Sequence, residues 1–103
     1  MKDALDYARQ ALRFAERVCD DADALRAEAD EQRRCGAVYA RRQRARDEAK
    51  HAFIVDAMHN AANAARGARR ARKGGLWAES WRVHACESAK RAAWCAGYAA
   101  GVA

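Results

Sequence analysis

The chain has 103 residues and a formal net charge of +6, with no proline and only six glycines. Its length limits it to a single domain, predicted to span residues 1–103. Alanine and arginine, two strong helix formers, dominate the composition and β-branched residues are scarce, which excludes a β-sheet protein and predicts an all-α fold.

The first predicted helix covers about residues 2–34. Small and apolar residues recur at spacings of three and four along its first part, as in a helix packed on other helices; they are Leu5, Ala8, Leu12, Ala15, Cys19 and Ala22. This pattern weakens at the aspartates in 20–23, where aspartate side chains compete for backbone hydrogen bonds. We therefore expect one helix with a weak point there, or two helices separated by a break.

The second and third predicted helices cover about 37–73 and 76–101. Gly36 follows Arg33 and Arg34, a pattern typical of a helix end, although a helix continuing through Gly36 is the alternative. Gly74 and Gly75 give the strongest break in the chain. The last helix is apolar on more than one face, so it is either central or covered by another chain. The sequence predicts an antiparallel three-helix bundle or coiled coil, with four helices if the chain breaks near 20–23.

Positive charge is concentrated in the second predicted helix. Residues 37–73 carry 10 basic and 3 acidic side chains, whereas residues 1–36 carry 7 basic and 9 acidic. The basic residues form a cluster at each end of the helix. The first is Arg41, Arg42, Arg44 and Arg46, and the second is Arg66, Arg69, Arg70, Arg72 and Lys73. Four members of the second, Arg66, Arg69, Arg70 and Lys73, are spaced i, i+3, i+4, i+7 and are called the basic ridge below. That spacing places the ridge on one helix face.

The clusters have two interpretations. They are either a surface for anions or a binding partner, or a solvated face that the acidic first helix partly neutralises. The partner is either an acidic protein surface or a nucleic acid, since arginine binds phosphates and carboxylates through forked hydrogen bonds. The sequence contains no helix-turn-helix spacing, zinc finger or RNA-recognition signature.

Four aromatic residues lie on the last predicted helix: Trp77, Trp81, Trp94 and Tyr98. They supply bulk to an alanine-lined core, or they anchor an interface, since Trp and Tyr dominate binding hot spots. The 29 alanines outnumber the 20 bulky apolar residues, so each buried side chain contributes little area. The thin core and the surplus of aromatics together favour a homo-oligomer.

The histidines and cysteines do not predict a catalytic or metal site. His51 and His59 lie two helical turns apart, and the four cysteines form no CxxC pair. A bridge from Cys19 or Cys35 to the last helix is geometrically possible, but free thiols are expected. With no glycine-rich loop to bind a substrate, we expect no enzyme, no cofactor and no metal. The polar N-terminus and the short apolar runs predict a cytoplasmic protein without a membrane partner.

These features lead to a ranked set of functions. The first is a non-enzymatic protein that binds another protein. A small helical bundle without motifs is typical of phage or mobile-element inhibitors of host defence, such as anti-CRISPR proteins; this is an analogy of size and composition. The second is a direct nucleic-acid-binding protein that uses the basic ridge. The third is a self-assembling structural protein.

Overall fold

The computed structural model of the protein describes residues 2–102, of which 84% lie in helices. The four helices are α1 (Ala4–Glu16), α2 (Ala22–Arg42), α3 (Asp47–Lys73) and α4 (Ala78–Gly101), and no strand occurs in this range. The all-α helical bundle is confirmed, in its four-helix form. Met1 and Ala103, the ends of the predicted domain, lie outside the described residues.

The predicted helix 2–34 is two helices. Asp3 caps α1 through a reciprocal pair of bonds, in which its side chain accepts from the Asp6 amide at 2.9 Å and its own amide donates to the Asp6 side chain at 3.1 Å. Asp21 caps α2 by accepting from the Ala24 amide at 3.0 Å. Because a capping carboxylate satisfies an amide that has no partner in the helix, the aspartate-rich segment begins a new helix.

The helix boundary predicted at Gly36 is wrong, since α2 continues to Arg42. A Cβ atom on Gly36 would collide with the main-chain carbonyl oxygen of Trp94. This glycine therefore allows two helix backbones to touch, and does not end a helix. The chain turns instead at residues 43–46, so the second predicted helix begins at Asp47 and not at residue 37.

The helix α4 lies at the centre of the bundle and packs against α1, α2 and α3. Consecutive helices run antiparallel, so α2 runs parallel to α4. The Glu28–Lys90 ion pair at 3.0 Å and the contact of Gly97 with Arg33 define this direction. α2 and α3 pack on different sides of α4 and do not pack against each other. The central position of α4 explains why its sequence is apolar on more than one face.

Alanine makes up most of the core. The buried hydrophobic residues within 2–102 are all alanines except Leu25, Cys95 and Tyr98. Larger side chains such as Leu5, Leu12, Phe14 and Ile54 cover this core from its edge and remain partly exposed. Small residues permit short distances between helix axes, and the molecule is accordingly narrow, measuring 45 × 24 × 20 Å. The long α3–α4 hairpin carries the candidate site at one end of this rod.

Candidate partner-binding surface

The α3–α4 turn is built from glycines and alanines. Gly67 lies against α4, where an added Cβ would be 3.0 Å from the Trp81 carbonyl oxygen. Gly74 and Gly75 then reverse the chain with φ angles of 76° and 88°, which side chains other than glycine rarely adopt. The two helices are thus held close together up to the turn, and the larger side chains near the turn point outward.

The four side chains of the basic ridge are all exposed, as the spacing predicts. The buried alanines 64, 68 and 71 occupy the other side of α3. Arg66 donates to the Asn63 side chain at 3.3 Å. Three basic residues, Arg70, Arg72 and Lys73, lie in the last turn of α3, where positive charge is favourable next to the helix C-terminus.

No ion pair within residues 2–102 involves the basic ridge. Three of the four acidic residues of α2 pair instead with arginines of the same helix, as in Glu31–Arg34 at 2.7 Å and Asp30–Arg33 at 3.6 Å. The fourth, Glu28, pairs with Lys90 of α4. The hydrogen bond from Arg34 lowers the pKa of Glu31, and the same hydrogen bond raises the pKa of Arg34. Ion-pair masking of the ridge by the acidic N-terminal segment, the alternative from the sequence, is therefore absent here.

One ridge residue is fixed by an aromatic ring. The guanidinium carbon of Arg70 lies 4.4 Å from the centroid of the Trp81 ring, in cation–π contact across the two helices. The Trp81 ring also lies nearly perpendicular to the His84 ring, with centroids 5.5 Å apart and planes at 88°. Arg70 therefore loses less conformational entropy on binding than a free arginine would.

Large apolar side chains lie exposed beside the ridge. Leu76 is 87% exposed and Trp77 is 66% exposed, both in the turn directly after Lys73. Val83, near the start of α4, is also exposed. We define the tip surface as the basic ridge together with Leu76 and Trp77. The sequence identified Trp77 as an interface aromatic but did not identify Leu76, whose place after Gly74-Gly75 was the available signal.

The first basic cluster lies at the opposite end of the molecule. Arg41, Arg42, Arg44 and Arg46 are exposed around the α2–α3 turn and take part in no ion pair of the described residues. Arg66 lies 20 residues beyond Arg46, nearly all of them in α3, which at 1.5 Å per residue puts the nearest members of the two clusters about 30 Å apart. The structure therefore does not bring the clusters together into one site.

The aromatic residues near the end of α4 pack against other residues of the same chain. Trp94 and Tyr98 meet Phe53 of α3 at 5.6 and 4.0 Å between centroids, and Tyr39 of α2 at 5.7 and 6.1 Å. Tyr98 is buried and Trp94 is half-buried. These two rings join α2 and α3 across α4, so Trp77 is the exposed member of the predicted interface aromatics.

The described residues contain no group of three or more His, Cys, Asp or Glu side chains able to hold a metal ion. His51 and His59 are exposed on α3. A hollow of about 460 Å³ forms an open cleft between α2 and α3, with Trp94 and Cys95 on its floor and Gln32 and Asp56 on its walls. No helix in residues 2–102 is long and apolar enough to cross a membrane.

No protein-family model matches this chain, and the searches of curated proteins and of solved structures returned no similar protein.

Proposed function

We propose that the protein is a non-enzymatic binding protein whose tip surface docks onto an acidic protein surface. One observation supports this proposal above the others: the basic ridge, which forms no ion pair in the described residues, is followed directly in the chain by exposed Leu76 and Trp77. Arginine and tryptophan carry much of the energy in protein interfaces, where an apolar centre is surrounded by charged groups. An inhibitor of a host defence complex, of the anti-CRISPR kind, would act by such docking.

The apolar half of the tip surface favours a protein over a nucleic acid as the partner. A phosphate backbone is bound by cations and hydrogen-bond donors, and neither requires an exposed leucine. Leu76 gains free energy only when a partner removes it from water. We therefore expect an apolar recess in the partner, with carboxylates around it that pair with Arg66, Arg69 and Lys73.

The decisive experiment compares three variants that retain the fold by circular dichroism. Arg66→Glu/Arg69→Glu reverses charge on the ridge, Leu76→Ser removes the apolar contact, and Arg41→Glu/Arg42→Glu is the matched charge control at the other end. Immobilised wild-type protein captures candidate partners from cell extract, and each is purified and titrated by calorimetry. A true partner loses affinity about tenfold or more with both tip variants and keeps it with the control.

Direct nucleic-acid binding is the second candidate, favoured by the four unpaired cations on one face of α3. Its test is titration with labelled duplex and single-stranded DNA and RNA at about 50 and about 200 mM salt. Binding that weakens steeply with salt, is lost in Arg66→Glu/Arg69→Glu and is unchanged in Leu76→Ser would replace the first proposal. A homo-oligomer stays a prediction, and light scattering that gives the mass of one chain would contradict it.

A further inference from the structure

Two cysteines from distant parts of the sequence lie on the same small hollow of the surface. Cys19 lies in the α1–α2 connection and Cys86 lies on α4. The Cys19 thiol donates a hydrogen bond to the Asp21 carbonyl oxygen at 3.3 Å. Both thiols are free, and both are partly exposed.

The surroundings of the pair leave it open to reagents from solvent. Cys19 and Cys86 line one surface hollow of about 220 Å³, with Val18 and Asp20 on one side and Arg82 on the other. No third metal-ligating side chain joins them in the described residues. Cys35 is exposed on α2, and Cys95 is buried on the floor of the α2–α3 cleft. Neither of these lines the hollow.

We propose that Cys19 and Cys86 form a reversible disulfide that fastens the α1–α2 connection to α4 when a small-molecule disulfide such as oxidised glutathione is present. The Cys19 thiolate attacks one sulfur of the oxidant, which breaks its S–S bond and releases one thiolate. Cys86 then attacks the Cys19 sulfur and displaces the second thiolate. The two cysteine protons end on the released thiols, and two electrons pass from the cysteines to the oxidant.

The environment assigns the order of the two attacks. Burial, together with the neighbouring Cys19 thiol, raises the pKa of Cys86 to about 11. Cys86 therefore keeps its proton at neutral pH and is a poor first nucleophile, because the thiolate is the reactive form. Because Cys86 lines the same hollow as Cys19, it is placed for the second, resolving attack. Cys19 is the thiol that meets the oxidant first.

The bond would stabilise the fold by restricting the unfolded chain. The disulfide joins residues 19 and 86. The segment that it closes into a loop therefore contains all of α2 and α3 and the first part of α4. Closing a loop of this length is strongly stabilising in the chain-entropy treatment, and we expect the melting temperature to rise by on the order of 10 °C. This inference does not depend on what the tip surface binds.

The test uses the full-length protein, incubated at neutral pH with oxidised glutathione and then alkylated and digested with trypsin. We expect loss of two free thiols, a disulfide-linked pair of peptides 18–26 and 83–90, a higher melting temperature, and reversal of all three by dithiothreitol. Cys35→Ser serves as the control and should behave as the wild type. Cys19→Ser and Cys86→Ser should each lose the linked pair and the thermal shift.

Three results would overturn the proposal. They are retention of all thiols, a glutathione adduct on Cys19 that does not transfer to Cys86, and a disulfide that involves Cys35 between chains. Because the linked peptides are sought in the wild-type protein, a failure of either serine variant to fold does not affect the result.

Discussion

At the scale of single residues, glycine decides how closely α2 and α4 approach. Cβ atoms added to Gly36 and Gly97 would collide with main-chain atoms of Trp94 and Arg33 on the facing helix. In both places the obstacle is backbone, which cannot move aside as a side chain can. The sequence shows Gly36 next to arginines and so predicts a helix end, because a single chain carries no sign of which glycine faces a neighbouring backbone.

We expect Gly97→Ala to destabilise the protein by about 3 kcal/mol, since overpacking against rigid backbone outweighs the gain in helix propensity of about 1 kcal/mol. Urea denaturation measures the change. Gly67→Ala is the matched control, because its added Cβ would lie 3.0 Å from the nearest atom. Its expected change is within about 1 kcal/mol of zero. Equal stability of Gly97→Ala and the wild type would contradict the close approach.

We expect the protein to lose stability in alkali because of two thiols, those of Cys86 and Cys95. Burial is the main cause that raises the pKa of both Cys86 and Cys95 to about 11, whereas a cysteine in an unfolded chain titrates near 8.5. Between about pH 9 and 11 the unfolded chain has lost protons that the folded chain retains, so the free energy of unfolding falls as pH rises. The hydrogen bond to Glu87 raises the pKa of Lys90, so Lys90 also contributes a loss of stability as pH rises. This contribution is common to the wild type and to every variant.

The measurement is urea unfolding at about pH 8 and about pH 10.5, with a reductant present to keep the thiols free. The free energy of unfolding should fall by about 1 kcal/mol for each thiol. This is less than the full pKa difference implies, because Cys86 is partly exposed and solvent screens its charge. Cys86→Ala should recover part of this loss, while exposed Cys35→Ser should not. The interpretation fails if both variants lose as much as the wild type.

At the scale of helices, the end of α2 shows why the sequence did not predict the turn at 43–46. The Ala45 amide donates to the Ala40 carbonyl at 3.1 Å and the Arg44 amide donates to the Arg41 carbonyl at 3.2 Å, which is the Schellman pattern. Arg44 takes the left-handed position with φ 52°. Glycine usually occupies this position, so an arginine there gives the sequence no sign of a helix end.

We expect Arg44→Gly to stabilise the protein by about 0.5–1 kcal/mol, because glycine adopts positive φ without steric strain. Thermal or urea unfolding measures the difference. Arg42→Gly places the same change inside the helix and should destabilise by about 1 kcal/mol. Equal effects of the two changes would show that residue 44 is not held in the left-handed conformation.

The start of α2 was within reach of sequence analysis. Aspartates crowd the segment 20–23, and one of them, Asp21, makes the capping bond to the Ala24 amide. The pattern could not select the four-helix form over a single weakened helix, because the choice depends on packing. Cys19 and Cys86 line one hollow because α1 ends early and Cys19 lies in the connection before α2.

At the scale of the whole molecule, the two basic clusters lie at opposite ends, and most of the ion pairs of the described residues lie between them. The exposure of the basic ridge could be predicted, because four residues at helical spacing opposite an alanine stripe must face away from the core. The absence of ion-pair masking could not be predicted. It depends on α2 lying on a different side of α4 from α3. Three of the four α2 carboxylates pair there at i, i+3 within their own helix, and Glu28 pairs with Lys90 of α4.

The alanine core also determines how stability varies with temperature. Unfolding a protein raises its heat capacity in proportion to the apolar area newly exposed to water. Here the buried side chains are nearly all methyl groups, and the larger apolar side chains are already partly wet in the folded state. We expect a heat-capacity change on unfolding below the usual ~1.2 kcal/mol/K for about 100 residues, measurable by scanning calorimetry. The stability curve should therefore be broad and shallow, with little tendency to unfold in the cold.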